Sequence, residues 1–201
     1  MIVNNKRPIL KLLSMSLLLG ISVSCADNKS QTLENFEQSA SEKIKALAGN
    51  LKKELSESMQ SGGPVAAITT CRIKAPEITN ALNSTDTVKI KRTSLRLRNP
   101  ANEADNWEQQ VLTSFEDKHS SGTPVDQLVY SEEIKAGDKT TFRMMRAIPM
   151  QPVCLSCHGD KQTMGNELIS TLEQAYPDDR ATGFSVGDIR GAFSVSQTIG
   201  N

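Results

Sequence analysis

The sequence predicts a single α+β domain built on an antiparallel sheet, and three observations carry that reading. A long apolar stripe with helical spacing comes first, over residues 33–59. Segments of period two follow from about residue 87, on either side of one short capped helix. A glycine-bounded run, Gly191-Ala192-Phe193-Ser194-Val195, closes the chain as a last strand. Helices first and strands afterwards point to helices laid against an antiparallel sheet rather than to βαβ units. The 201 residues suffice for one such domain with a sizeable core once any leader is removed.

Residues 1–24 read as a secretory signal peptide. Lys6, Arg7 and Lys11 form a basic flank, Leu12 to Val23 an apolar run, and small residues follow. The run is too short for a comfortable membrane span. Ser22-Val23-Ser24-Cys25 resembles a lipoprotein cleavage box, with serine where that box prefers leucine. Cys25 would then be the lipidated first residue and 25–31 a polar tether, ordinary cleavage nearby being the alternative. The domain proper is assigned to 32–201. This places the protein in the periplasm, with the membrane met only through a lipid anchor. The whole chain carries 23 cations and 23 anions. Loss of the leader removes three cations and no acid, leaving 20 against 23 and a net charge of −3. Near neutrality gives no case for nucleic acid.

Leu33, Phe36, Ala40, Ile44, Leu47, Leu51, Leu55 and Met59 recur at three and four and make one face of a long helix. Ser61-Gly62-Gly63 stops it. Pro64 suits the first turn of a second helix. Val65, Ile68, Cys71 and Ala75 form the inner face of that helix, and Pro76 ends or kinks it. Thr87 to Arg98 reads as a strand, with Thr93, Leu95 and Leu97 on one face and Arg92, Ser94, Arg96 and Arg98 on the other. Asn99-Pro100 closes it. Asp105-Asn106-Trp107-Glu108 resembles a capping box for a short helix through about Phe115. Leu128–Ile134 and Thr140–Ile148 make a hairpin turning at Ala136-Gly137-Asp138, with Phe142, Met144 and Ile148 on one face. Gly165 to Tyr176 is helical in pattern, and Asp188 and Arg190 read as turn and surface residues.

Cys154-Leu155-Ser156-Cys157-His158 carries the chemistry. A C-x-x-C-H run is the attachment pattern of a c-type haem. The two thiols reach the two vinyl groups of one porphyrin edge, and the imidazole next to them reaches the iron. A thioredoxin-like pair needs no such histidine, and a zinc site would want a second Cys/His pair that the sequence lacks. One motif implies one covalent haem c. Bacterial haem attachment of this type takes place outside the cytoplasmic membrane, in accord with the leader.

The second axial place has several candidates. His119, in Asp117-Lys118-His119-Ser120-Ser121-Gly122, reads as a solvated loop residue. Met59, Met144, Met145, Met150 and Met164 are thioethers of the kind found opposite histidine in electron carriers. Cys71 is the sharper candidate: haem and export account for the other three cysteines, and Arg72, Lys74 and ferric iron would favour its thiolate. Arg92, Arg96 and Arg98 suit haem propionates, though a solvated strand face would also explain them.

Four blocks then carry a resemblance: Thr70-Cys71-Arg72-Ile73-Lys74-Ala75-Pro76-Glu77-Ile78, Arg92-Thr93-Ser94-Leu95-Arg96-Leu97-Arg98-Asn99-Pro100-Ala101-Asn102, Cys154 to Gly159, and Gly187 to Val195. In this order they resemble a family of exported single-haem c-type proteins with a PAS-like fold, a domain-of-unknown-function family. The resemblance implies a PAS-like antiparallel sheet, His158 as proximal ligand and Cys71 as distal ligand. It also implies a redox or diatomic-gas sensor that signals to a separate partner protein, since no kinase or chemotaxis module follows the domain. A one-electron carrier between redox partners is the alternative. A small peroxidase is a third reading, poorly supplied with acid/base groups.

Overall fold

The structure, a computed structural model, describes Met1 and residues 26–200. The leader and Cys25, on which the export and lipidation readings rest, lie outside the described residues. Helix α1 (Ala26–Asn83) opens the fold and already runs through the stretch read as a polar tether. It is two helices meeting at Gly62 (φ −158°) and Gly63 (φ 66°), where the sequence placed the stop. The strands are β1 (Lys89–Thr93), β2 (Val129–Ala136), β3 (Lys139–Pro149) and β4 (Ile189–Gly200). They pair antiparallel in the order β1-β4-β3-β2. Between them lie α2 (Asn106–Ser120), the single turn α3 (Leu155–His158) and α4 (Asn166–Ala175). No helix among the described residues is long and apolar enough to cross a membrane.

Period two on the strands sorts the core into two layers. Phe142 and Met144 of β3 and Val195 of β4 face α1, packing with Phe36, Ala40, Ile44 and Leu47. Met145 and Ala147 of β3 and Ala192 of β4 face the other way, against Val111, Leu112 and Phe115 of α2. A side chain as fully buried as Leu47, at 0% exposure, contributes about 1.5–3 kcal/mol by leaving water.

Polar side chains pin the helices to the sheet. The buried Lys43 ammonium donates to the Asp86 carboxylate (2.7 Å) and the Val88 carbonyl, tying α1 to the start of β1. Asn83 both donates to the Ile90 carbonyl and accepts from its N–H, each at 2.8 Å. Asp105 and Glu108 form the expected capping box of α2. The Glu108 carboxylate, 0% exposed, also meets Lys91 of β1 at 2.8 Å.

Several expectations are corrected. Pro76 neither ends nor breaks the helix, which continues to Asn83 with helical backbone angles. Proline lacks the N–H that would donate to the Arg72 carbonyl, and both residues are exposed, so that carbonyl is not sealed away from solvent. The strand read as Thr87–Arg98 ends at Thr93, because the Ser94 hydroxyl caps the bend, accepting from the Arg96 N–H and donating to the Arg190 carbonyl. Helix α2 runs on past Phe115 to Ser120, so His119 sits in its last turn, where its Nδ1 meets the Thr123 carbonyl at 3.1 Å.

One end of the sheet collects three strand termini. Thr93 pairs with Ala192, Ile148 with Gly191 and Pro149 with Ile189. Gly191 is required there: a Cβ on it would lie 2.2 Å from the Thr93 carbonyl oxygen. The register shifts at Ile148/Pro149, and the chain leaves β3 directly into the cysteine motif.

Candidate functional site

Past Pro149 one more exchange follows, Met150 N–H to the Asp188 carbonyl (2.8 Å) and Gly187 N–H to the Met150 carbonyl (2.9 Å), before the chain turns into the motif. Pro152 opens a 3-10 turn ending at Cys154, and α3 follows. At 3.6 residues per turn, positions 154, 157 and 158 share one side of this turn. The two half-buried thiols and the imidazole are therefore presented together by local geometry alone. Gly159 closes the turn, since a Cβ there would lie 2.7 Å from the Leu155 carbonyl.

The loop 179–184 sews this turn to the sheet end. Gly183 N–H donates to the Gly159 carbonyl (2.7 Å) and Phe184 N–H to the His158 carbonyl (3.0 Å). Arg98 bonds the Cys157 and Ala181 carbonyls and the Asp179 carboxylate, the last at 2.9 Å as a buried ion pair. Asp179 in turn accepts from Ala181 N–H at 2.8 Å. Arg96 donates to the Thr182 and Arg180 carbonyls and lies 3.8 Å over the Phe184 ring.

His158 Nδ1 lies 2.6 Å from the Ala181 carbonyl oxygen. A carbonyl only accepts, so Nδ1 carries the proton and Nε2 carries the lone pair of the neutral ring. Burial, then the positive charges of Arg98 and Arg190, hold the imidazole well below the ordinary histidine range, and it is neutral. This is a metal-ligating tautomer fixed by an outer carbonyl. The Phe184 ring meets it edge-on at 6.3 Å.

Cys71 reaches the same region from α1. Its side chain presents accessible surface, yet it is crowded towards Arg92, Tyr176 and Cys157. That crowding raises the thiol above its ordinary range, against the pull of Arg92 and Arg98. The expectation that Arg72 and Lys74 favour the thiolate is thus corrected. The helping cations come from β1 and the bend after it, and Lys74 pairs instead with Glu77 at 2.9 Å. The inner face of this helix is held by buried Ile68 and Ala75, with Cys71 at its open margin.

Of the methionines, Met144 and Met145 are buried on opposite faces of the sheet. Met150 belongs to the cluster that Cys154 packs against, and Met164, like Cys157, lies against the cluster of Ile68, Leu168 and Leu172. Arg190 is not a surface residue. Its half-buried guanidinium, lowered to about 10 by burial and by Arg98, bonds the Ser94 hydroxyl (3.0 Å) and the Arg96 carbonyl (3.2 Å). Asp188 is a turn residue as read, accepting from Ser185 N–H at 2.7 Å. Tyr176, Phe184 and Asp179 were not singled out from sequence. Arg190 had a signal, since it sits between Ile189 and Gly191 in a period-two run.

No cluster of three or more His, Cys, Asp and Glu side chains arranged to hold a bare metal ion occurs among the described residues. A groove of about 350 Å³ between α1 and α4, lined in part by Ile68, Arg72, Ile73 and Thr171, includes none of the motif residues.

No functionally curated protein matches the chain. A solved structure does, that of the cyanobacterial heme-protein Tll0287: the TM-score is 0.54 at 22% identity, over 89% of this chain and 98% of that one. At that identity the likeness speaks to the fold, a long N-terminal helix on a four-stranded antiparallel sheet. Residues 26–198 match the Tll0287-like family, nearly all of the described chain from the first turn of α1 to two residues short of the end of β4. The chain belongs to the Tll0287-like family.

Proposed function

We propose that this protein is a non-enzymatic c-type haem protein, carrying one covalent haem and sensing redox state or a diatomic gas for a separate partner protein. The observation that carries the haem reading is His158: Nδ1 is spent on the Ala181 carbonyl, and Nε2 is left as a lone pair beside two thiols of the same turn. The donor set fits the group, and the printed description of the similar structure as a heme-protein supports the reading. Cys154 and Cys157 would hold the ring through thioethers, and His158 Nε2 would ligate the iron. Cys71 would supply the second ligand as its thiolate, since thiols give up their proton on binding metal. When bound, haem supplies a reversible one-electron couple and an iron that takes a diatomic gas once an axial place is open.

The residues on the two sides are held unequally, which favours a sensor over a plain carrier. His158 is fixed by the 179–184 loop through backbone bonds and Arg98. Cys71 rides on the half of α1 beyond the Gly62–Gly63 break, pinned to β1 at its far end by Asn83, and its own turn is exposed. A ligand on the less anchored element is the one that gives way, and its movement is the signal handed on. Export to the periplasm, where haem attachment operates, belongs to the same reading.

The test is carbon monoxide added to the reduced protein. The sensor reading expects stoichiometric binding, with faster amide exchange in residues 64–75. Fast electron exchange without gas binding would instead make it a one-electron carrier, and peroxide turnover an enzyme.

A further inference from the structure

Four arginines surround the motif, and three are already occupied. Arg96 holds the Thr182 and Arg180 carbonyls, Arg98 holds Asp179, and Arg190 holds Ser94. Arg92 makes no hydrogen bond or ion pair among the described residues, although it is half-buried and its charge acts on both His158 and Cys71. A cation partly withdrawn from water without a partner is unfavourable, so its position calls for an anion.

The sheet register places a second such cation beside it. Phe193 of β4 lies directly between Arg92 of β1 and Arg146 of β3. Directly paired residues project from the same face. That face is the one covered by α1, because Ile90, Met144 and Val195, two positions away on each strand, pack against that helix. Arg146 is also half-buried and also lacks a hydrogen bond or ion pair among the described residues. Two strand spacings put the Cα atoms of the two arginines roughly 10 Å apart. The row is thus a half-buried phenylalanine with an arginine on each side. It lies on the α1 face of the sheet, and the charge of Arg92 is felt at both candidate axial ligands.

We propose that Arg92 and Arg146 hold the two propionate carboxylates of the haem, with Phe193 packing between them. This rests on the haem reading above and deepens it, naming the residues that anchor the edge away from the thioethers. A planar guanidinium matches a carboxylate with two parallel hydrogen bonds, so arginine suits both positions better than lysine. The row also separates Arg92 from Arg96, which the sequence had grouped together. Arg92 meets the cofactor, and Arg96 holds the loop that carries the motif.

The test uses the full chain produced with a haem-attachment system, as wild type, Arg92→Gln, Arg146→Gln, Arg146→Lys and Arg96→Gln. Covalent haem is counted by pyridine haemochrome, the propionate bending mode is read by resonance Raman, and the midpoint potential is measured. Both glutamine variants of the row should keep one haem, shift the propionate mode and lower the potential, because a lost cation favours the ferric state. Arg96→Gln should leave the propionate mode unmoved. Arg146→Lys keeps the charge and loses the fork, so it should hold the potential and still shift the mode. It decides the matter if the glutamine variant does not fold. A haem-loaded wild type whose propionate mode is unchanged by substitution at Arg146 overturns the pairing and leaves the haem reading intact. A wild type without covalent haem overturns both.

Discussion

Cys71→Ser removes one sulfur from the turn of α1 nearest Arg92. With thiolate ligation, ferric protein is low-spin with a thiolate signature in electron paramagnetic resonance. The serine variant loses that signature, keeps its covalent haem and has a higher midpoint potential, since thiolate donation stabilises ferric iron. An unchanged spectrum would pass the distal role to Met164, the methionine that shares a cluster with Cys157. Arg98 makes a different demand, because it neutralises Asp179 while bonding the Cys157 and Ala181 carbonyls. Arg98→Ala leaves a buried carboxylate unpaired and should cost about 3–5 kcal/mol in urea unfolding. Residue by residue, legibility followed sequence distance. Cys154, Cys157 and His158 declare themselves because one helical turn brings them together. Tyr176 and Phe184 reach the same place from 18 or more residues away, and nothing local marks them.

Among the elements, the end of β1 was the one misread in a way that mattered. The alternation Arg92, Ser94, Arg96, Arg98 continues past Thr93, but the pairing does not: β4 runs on to Ile189, while the Ser94 hydroxyl turns the chain by bonding the Arg96 N–H and the Arg190 carbonyl. The strand's end depends here on a side-chain bond to a residue far away in sequence, and period two carries no record of that. The Gly62–Gly63 break and the α2 capping box were legible because both are short-range backbone signals. Two glycine substitutions separate the tolerant positions from the constrained ones. Gly191→Ala sets a methyl against the Thr93 carbonyl at a φ of 155° and should cost at least about 2 kcal/mol. Gly49→Ala, on an exposed turn of α1 with nothing within 4 Å, should add about 0.5–1 kcal/mol. Thermal and urea unfolding of the two variants read both signs.

For the whole molecule, the two helices are clipped to the sheet by carboxylates, so acid should loosen it. The Lys43 hydrogen bond holds the exposed Asp86 carboxyl below its usual range. Burial alone would raise Asp105, but Arg143 and the Glu108 N–H outweigh it and hold that carboxyl low as well. A depressed carboxyl stabilises the fold above its unfolded value, near 4, and that contribution is lost as pH falls through the lower folded value. Stability should therefore decline below about pH 4, and Asp86→Asn should make that decline shallower in urea titrations at each pH.

At this scale the antiparallel α+β architecture was readable from the order of periodicities. The layering of α1 and α2 on opposite faces of the sheet was not, because a strand buried on both sides shows only its own alternation. The central claim concerns the motif at the end of that sheet. Purified protein, produced with the haem-attachment machinery and extracted with acidic acetone, should retain its colour. It should then give one haem per chain by pyridine haemochrome, with the band position of two thioether links. Haem that extracts into the acetone, or a count of none or two per chain, would contradict the account.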